Sequence, residues 1–140
     1  MRAPARSVVA VVAGFLATAL LSVGVDAVLH AAGVFPPGAG GPRGTATDTA
    51  ERMSDGLFAL ALAYRTAFTV LGGAVTARMA PARPLPHALV LGVLGLAAGT
   101  AGVVATWDMP ELGPRWYPIA VAVEGLPCVL AGGWLAARSR

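Results

Sequence analysis

Four stretches of this chain are long, apolar and almost free of charge, and they leave few folds open. Ser7 to Val25 carries no charge at all. Leu57 to Ala77 is interrupted only by Arg65, Ala88 to Trp107 by nothing, and Trp116 to Ala137 only by Glu124. A bilayer core takes about 20 apolar residues per helix. Lipid offers no hydrogen bonds, so a spanning backbone must satisfy its own N–H and C=O groups inside a helix or a closed barrel. The expected fold is an all-α membrane protein, a four-helix transmembrane bundle with both termini cytoplasmic. Its 140 residues make one membrane domain, with helices at about 7–32, 55–79, 86–107 and 115–137 and an outer loop over 33–54.

Composition narrows the class further. Charged residues make up 12% of the chain, against about 25% in an ordinary soluble domain, and the mean hydropathy is +0.72. There is no Lys, Asn or Gln, and all ten basic residues are Arg. The net charge is only +3, and no basic stripe is interleaved with aromatics, so nucleic acid is not an expected partner. The lipid bilayer is, and a homo-oligomer or a larger membrane complex is the protein partner to expect of so small a bundle. Cys128 is the single cysteine, which excludes an internal disulfide. With Leu126, Pro127, Val129 and Leu130 around it, it reads as a small buried hydrophobe rather than a reactive thiol.

The arginines orient the bundle, because cytoplasmic loops carry an excess of basic residues. Arg2 and Arg6 precede the first span, Arg78 and Arg83 lie between the second and third, and Arg138 and Arg140 follow the fourth. The opposite side mixes Arg43, Arg52 and Arg115 with Asp48, Glu51, Asp55, Asp108 and Glu111. Both termini are therefore expected inside, in a bacterial cytoplasmic membrane. Trp107, Trp116 and Tyr117 fall at the outer interface and Trp134 near the inner one, as in an aromatic belt. A cleaved signal peptide is the rival reading of the first span, with Ala17-Thr18-Ala19 as the cleavage site. The apolar run continues to Val25, which is too long for a signal core. Phe35-Pro36-Pro37-Gly38 opens an irregular outer loop, whose end, Thr49 to Asp55, suits a short amphipathic turn. The other two connections are short, as antiparallel neighbours require.

Each helix shows a face. On the third, Ala88, Gly92, Gly95, Gly99, Gly102 and Thr106 follow one another at steps of 4, 3, 4, 3 and 4. Small residues let membrane helices approach closely, so Gly92, Gly95, Gly99 and Gly102 read as a packing seam of left-handed crossing. On the first, Gly14, Thr18, Ser22, Asp26 and His30 recur every fourth residue, either as an interhelix face or as a polar strip opening outward. The second aligns Arg65 with Thr69, Gly72 and Thr76. The fourth aligns Ala120, Glu124, Cys128 and Gly132, with Pro127 expected to kink it. A faint repeat links Gly72-Gly73 to Gly132-Gly133 and Arg78 to Arg138, sixty positions on. Two parallel hairpins would explain it.

The charges inside the spans ask for partners. Arg65 lies about 12 Å into its span at 1.5 Å per residue, and Glu124 lies at about the same depth from the same side. An unpaired charge at the bilayer centre costs roughly 2.5–3.5 kcal/mol. The expected solution is an intramembrane cluster of Arg65 with Glu124, joined by Asp26, with Tyr64, Ser22, His30 and Thr69 as polar lining. No metal site and no cofactor are expected. His30 and His87 belong to opposite ends, no Cys/His set has zinc spacing, and no glycine-rich loop precedes a Lys. No catalytic residues emerge.

The pieces FPPG, AYRTAFTVLGG, RPLPHALVLGVLG and WYPIAVAVEGLPCVLAGGWLA resemble a group of small bacterial four-helix membrane proteins, over most of the chain. The resemblance implies a membrane location and no activity. The small multidrug transporters share the size and helix number, but their membrane glutamate lies on the first helix. Here that helix carries Asp26 near its outer end, and the deep acid is on the fourth. The expected function is a structural or accessory membrane protein held by its charge cluster. The alternative is an oligomeric, proton-coupled transporter or channel using Glu124 and Asp26. A membrane enzyme acting on lipid or quinone would need a lateral opening onto Tyr64 and Arg65.

Overall fold

A computed structural model of the chain describes residues 3–36 and 53–139, with the backbone alone at Ala3 and Glu111. The outer loop proper, 37–52, and the amphipathic turn read at its end therefore lie largely outside the described residues, as do Arg2 and Arg140. Four helices account for nearly all the rest: α1 (Ala3–Ala31), α2 (Asp55–Met79), α3 (Pro84–Ala105) and α4 (Trp116–Arg138). Each is long and apolar enough to cross a membrane.

Local chemistry sets where the helices stop. Past the end of α1, Gly33 adopts a φ of 70°, and the amide of Val34 returns to the Leu29 carbonyl at 2.9 Å. This is the glycine-capped ending that satisfies the last free carbonyls. It folds Phe35 back into a buried position, edge-on to His30 at 5.4 Å. Pro81 follows α2 at once, and Pro84 opens α3, where a missing amide costs nothing. Between them Arg83 takes a φ of 48°, which is costly for a residue with a Cβ. A turn of 3-10 helix, Pro110–Leu112, carries the chain to α4, which runs through Pro127 without a break.

The helices pack around α2. It contacts α1, α4 and α3; α3 also rests on α4 and touches α1; α1 and α4 do not meet among the described residues. Helices α2 and α4 run in the same direction. Phe58 meets Tyr117 at one end (ring centroids 5.0 Å), and Arg78 donates to Ser139 Oγ at the other (3.2 Å). These pairs are 59 and 61 positions apart, so the register follows the sixty-residue repeat seen in the sequence.

The core lies in the half of the bundle where α2 and α4 end, which we call the arginine-rich half. Its buried residues are small: Gly72, Gly73, Thr76 and Ala77 on α2, and Val129, Gly132, Gly133 and Ala136 on α4. A Cβ at Gly132 would strike the Val70 carbonyl, and one at Gly73 the Val129 carbonyl. The two backbones touch where glycine occurs on each, the close approach that apolar solvent leaves as the main source of packing energy.

The glycine seam on α3 needs correction. Gly92 and Gly99 face α4, where an added Cβ would lie 2.6 Å from Leu126 Cδ1 and 2.9 Å from Ala122 Cβ, respectively. Gly95 and Gly102 are exposed, and a Cβ there would meet nothing within 4 Å. The contact repeats every seventh residue because α3 presents a single narrow edge to α4. The buried residues of α3 are Ala88, Leu91 and Gly92, all near its start. Beyond them α3 leaves the core, and the opposite half of the bundle is more open.

Candidate functional site

That open half, which we call the acidic half, holds the ionisable side chains of the helix interiors. Asp26 sits on α1 five residues before its end, and α1 runs antiparallel to α2 because the chain reverses between them. This brings Asp26 opposite the second and third turns of α2, where Tyr64 and Arg65 are adjacent. Arg65 Nη2 donates to Asp26 Oδ2 at 2.5 Å, and the Tyr64 hydroxyl donates to Asp26 Oδ1. One carboxylate thus receives a guanidinium through one oxygen and a phenol through the other, an ionised pair reinforced by a second hydrogen bond. The Arg65 and Asp26 side chains remain 33% and 24% exposed, respectively.

The expected ion pair between Arg65 and Glu124 is not formed. The depths do match: with Phe58 beside Tyr117 and Val70 beside Gly132, Arg65 and Glu124 lie at one level on parallel helices. Depth does not specify rotation about the helix axis, however, and Arg65 is turned toward α1. A long arginine reaches toward a helix end by extending its chain, and the acid near that end is Asp26. Glu124 Oε2 is buried without a hydrogen-bond partner among the described residues, as is Arg65 Nε. Cys128 lies one turn on from Glu124 along the same helix face.

The other residues singled out from the sequence fall as follows. Ser22 is buried, at 9% exposure. Thr69 spends its hydroxyl within α2, donating to the Arg65 carbonyl at 2.8 Å. His30 does not reach the Asp26 carboxylate; its Nδ1 donates to the Asp26 main-chain carbonyl at 2.7 Å. Thus the row on α1 meets α2 through Gly14, Thr18 and Asp26, while His30 stays exposed.

Two contributors lie outside the cluster expected from the sequence: Thr18, read there only as one of a row on α1, and Tyr117. Thr18 Oγ1 lies 3.1 Å from the Gly14 carbonyl and 3.2 Å from the Phe68 carbonyl across the α1–α2 interface. Tyr117, read from the sequence only as part of an interfacial belt, is part-buried against Phe58 and within electrostatic reach of Arg65, Asp26 and Glu124. The signal for it was present: Tyr117 and Glu124 are seven residues apart, two turns along one helix face. The site therefore joins α1, α2 and α4 through Asp26, Tyr64, Arg65, Tyr117 and Glu124. Among the described residues no group of three or more His, Cys, Asp or Glu is placed to hold a metal ion.

No protein-family model, curated protein or solved structure matches this chain. The resemblance drawn from the sequence pieces therefore stands on those pieces alone.

Proposed function

We propose that this chain is a multi-pass integral protein of a bacterial cytoplasmic membrane, with both termini inside, and that its role is structural or accessory. It would act alone, as a homo-oligomer or as a subunit of a larger membrane complex. In this reading the charges are joints. The supporting observation is that Asp26 takes hydrogen bonds from both Tyr64 and Arg65, so that the deep arginine is spent on holding α1 to α2. Breaking such a pair by removing one partner costs about 3–5 kcal/mol when it is buried. The test is a charge swap. Asp26→Arg or Arg65→Asp alone should abolish the folded monomer in detergent, and the double swap should restore part of it. A flux assay in vesicles completes the test: full proton flux lost in Asp26→Asn, with folding unchanged, would refute the structural role.

A second reading, an oligomeric proton-coupled transporter, rests on a different observation. Glu124 Oε2 and Arg65 Nε are buried polar atoms without a hydrogen-bond partner among the described residues, in the more open half of the bundle. Buried polar atoms of that kind are uncommon and mark positions where a proton, water or substrate group belongs. On this reading Glu124→Gln should stop flux while leaving the thermal unfolding midpoint unchanged.

A further inference from the structure

The end of the bundle opposite the charge cluster has a different chemistry. Arg6, Arg78, Arg83 and Arg138 are all exposed there, and among the described residues no Asp or Glu occurs at that end. Three of these arginines are drawn together by the packing. Arg78, in the last turn of α2, donates to Ser139 Oγ at 3.2 Å, next in sequence to Arg138. Arg83 immediately precedes α3, two residues before Leu85, whose Cδ2 would lie 3.8 Å from a Cβ on Gly133 of α4. Arg138 lies over Trp134, its guanidinium carbon 3.6 Å from the ring centroid. Trp134, Leu135 and Met79 are exposed at 44%, 54% and 44%. A cationic rim thus stands directly above an exposed apolar band, with an indole at the boundary.

We propose that this end is a binding surface for anionic phospholipid, with Arg78 and Arg138 at the headgroup phosphate and Trp134 against the upper acyl chain. The inference rests on the membrane reading above and adds to it a preference among lipids. Guanidinium groups match phosphate oxygens in a fork geometry that a zwitterionic headgroup shares in part. Its choline or ethanolamine cation is repelled by this arginine rim, whereas the glycerol headgroup of phosphatidylglycerol carries no such cation. Basic clusters beside a span select anionic lipid on these grounds. The contact with the Trp134 face holds the Arg138 guanidinium at the apolar boundary, where its N–H groups can serve an acceptor.

Fluorescence can read this directly. In the Trp107→Phe/Trp116→Phe background Trp134 is the sole tryptophan. The protein is placed in vesicles of phosphatidylcholine and phosphatidylglycerol in which one lipid or the other carries brominated, quenching chains. The proposal expects brominated phosphatidylglycerol to quench Trp134 at least about twofold more than its share of the bilayer predicts, by mass action at a preferred site. The preference should fall in high salt. It should vanish in Arg78→Gln/Arg138→Gln and persist in Arg115→Gln, at the other end. If the double variant misfolds, Arg138→Gln alone must halve the preference. Quenching in simple proportion to composition, or a preference unchanged by salt and by both variants, overturns the proposal and leaves the membrane reading intact. Quenching by neither lipid overturns both.

Discussion

Asp26 accepts from two neighbours, and those two bonds differ in what their loss exposes. Tyr64→Phe removes a neutral donor and leaves the ion pair with Arg65 in place. A hydrogen bond between helices in lipid contributes about 0.6–2 kcal/mol, so the variant should unfold slightly earlier in a detergent titration. Asp26→Asn leaves the Arg65 guanidinium without its counter-charge, at a larger cost that stays below the roughly 3–5 kcal/mol of a fully buried pair, since the two side chains are 33% and 24% exposed. The expected order of unfolding midpoints is parent, then Tyr64→Phe, then Asp26→Asn. An Asp26→Asn midpoint at or above that of Tyr64→Phe would show that the charge contributes nothing. At this scale the sequence was partly legible. The helical rise alone placed Arg65 and Glu124 at one depth, and the structure keeps them level. Asp26 was read as a further member of the cluster, but its precedence over Glu124 was not legible, because helix rotation depends on packing contacts that a single sequence does not carry. Arg65 turns to α1, where Asp26 is within reach of its extended side chain.

Helices α2 and α4 meet through glycines whose missing side chains decide the distance between them. A Cβ on Gly132 would overlap the Val70 carbonyl and lie 3.0 Å from the Ala74 nitrogen. Neither is a side chain that can swing away, so Gly132→Ala must separate two backbones. Overpacking of this kind costs about 1–3 kcal/mol. Gly102, by contrast, has nothing within 4 Å of its added Cβ, and Ala is the better helix former by about 1 kcal/mol. We predict that Gly132→Ala lowers the unfolding midpoint while Gly102→Ala leaves it unchanged or raises it; equal losses from both would contradict the assigned contacts. The glycines of α3 show what periodicity can reveal. Their spacing of 3.5 residues suggests one continuous seam, but only Gly92 and Gly99 meet α4, while Gly95 and Gly102 have nothing within 4 Å of an added Cβ. Which of the four faces a neighbour is set by the bundle, and no local spacing contains it. The weak repeat between Gly72-Gly73 and Gly132-Gly133 proved more informative, since the two pairs lie in the one interface where parallel helices cross.

At the scale of the molecule the two ends are chemically distinct: among the described residues the charged side chains are all arginines at one, and Asp55, Asp108 and Arg115 at the other. The proposed orientation puts the arginine-rich end in the cytoplasm. Cys128 is the sole cysteine, so Cys128→Ala provides a background for single labelling sites. In intact cells a cysteine at Ser139 should resist a membrane-impermeant maleimide, and one at Met109 should react. The reverse pattern would invert the assignment. Length and hydropathy made the four spans readable because those properties are local to each helix. The order of packing, with α2 between α1 and α4, depends on contacts among distant segments.

The clasp between α1 and α2 has a bearing on biosynthesis. The first two helices leave the ribosome before α4 exists, so during that interval Glu124 cannot answer the charge on Arg65. Asp26 precedes Arg65 in the chain and is already available. The arginine would enter lipid next to its own neutralising group, as one half of a preassembled hairpin. Glu124, arriving last, meets a guanidinium that is already engaged.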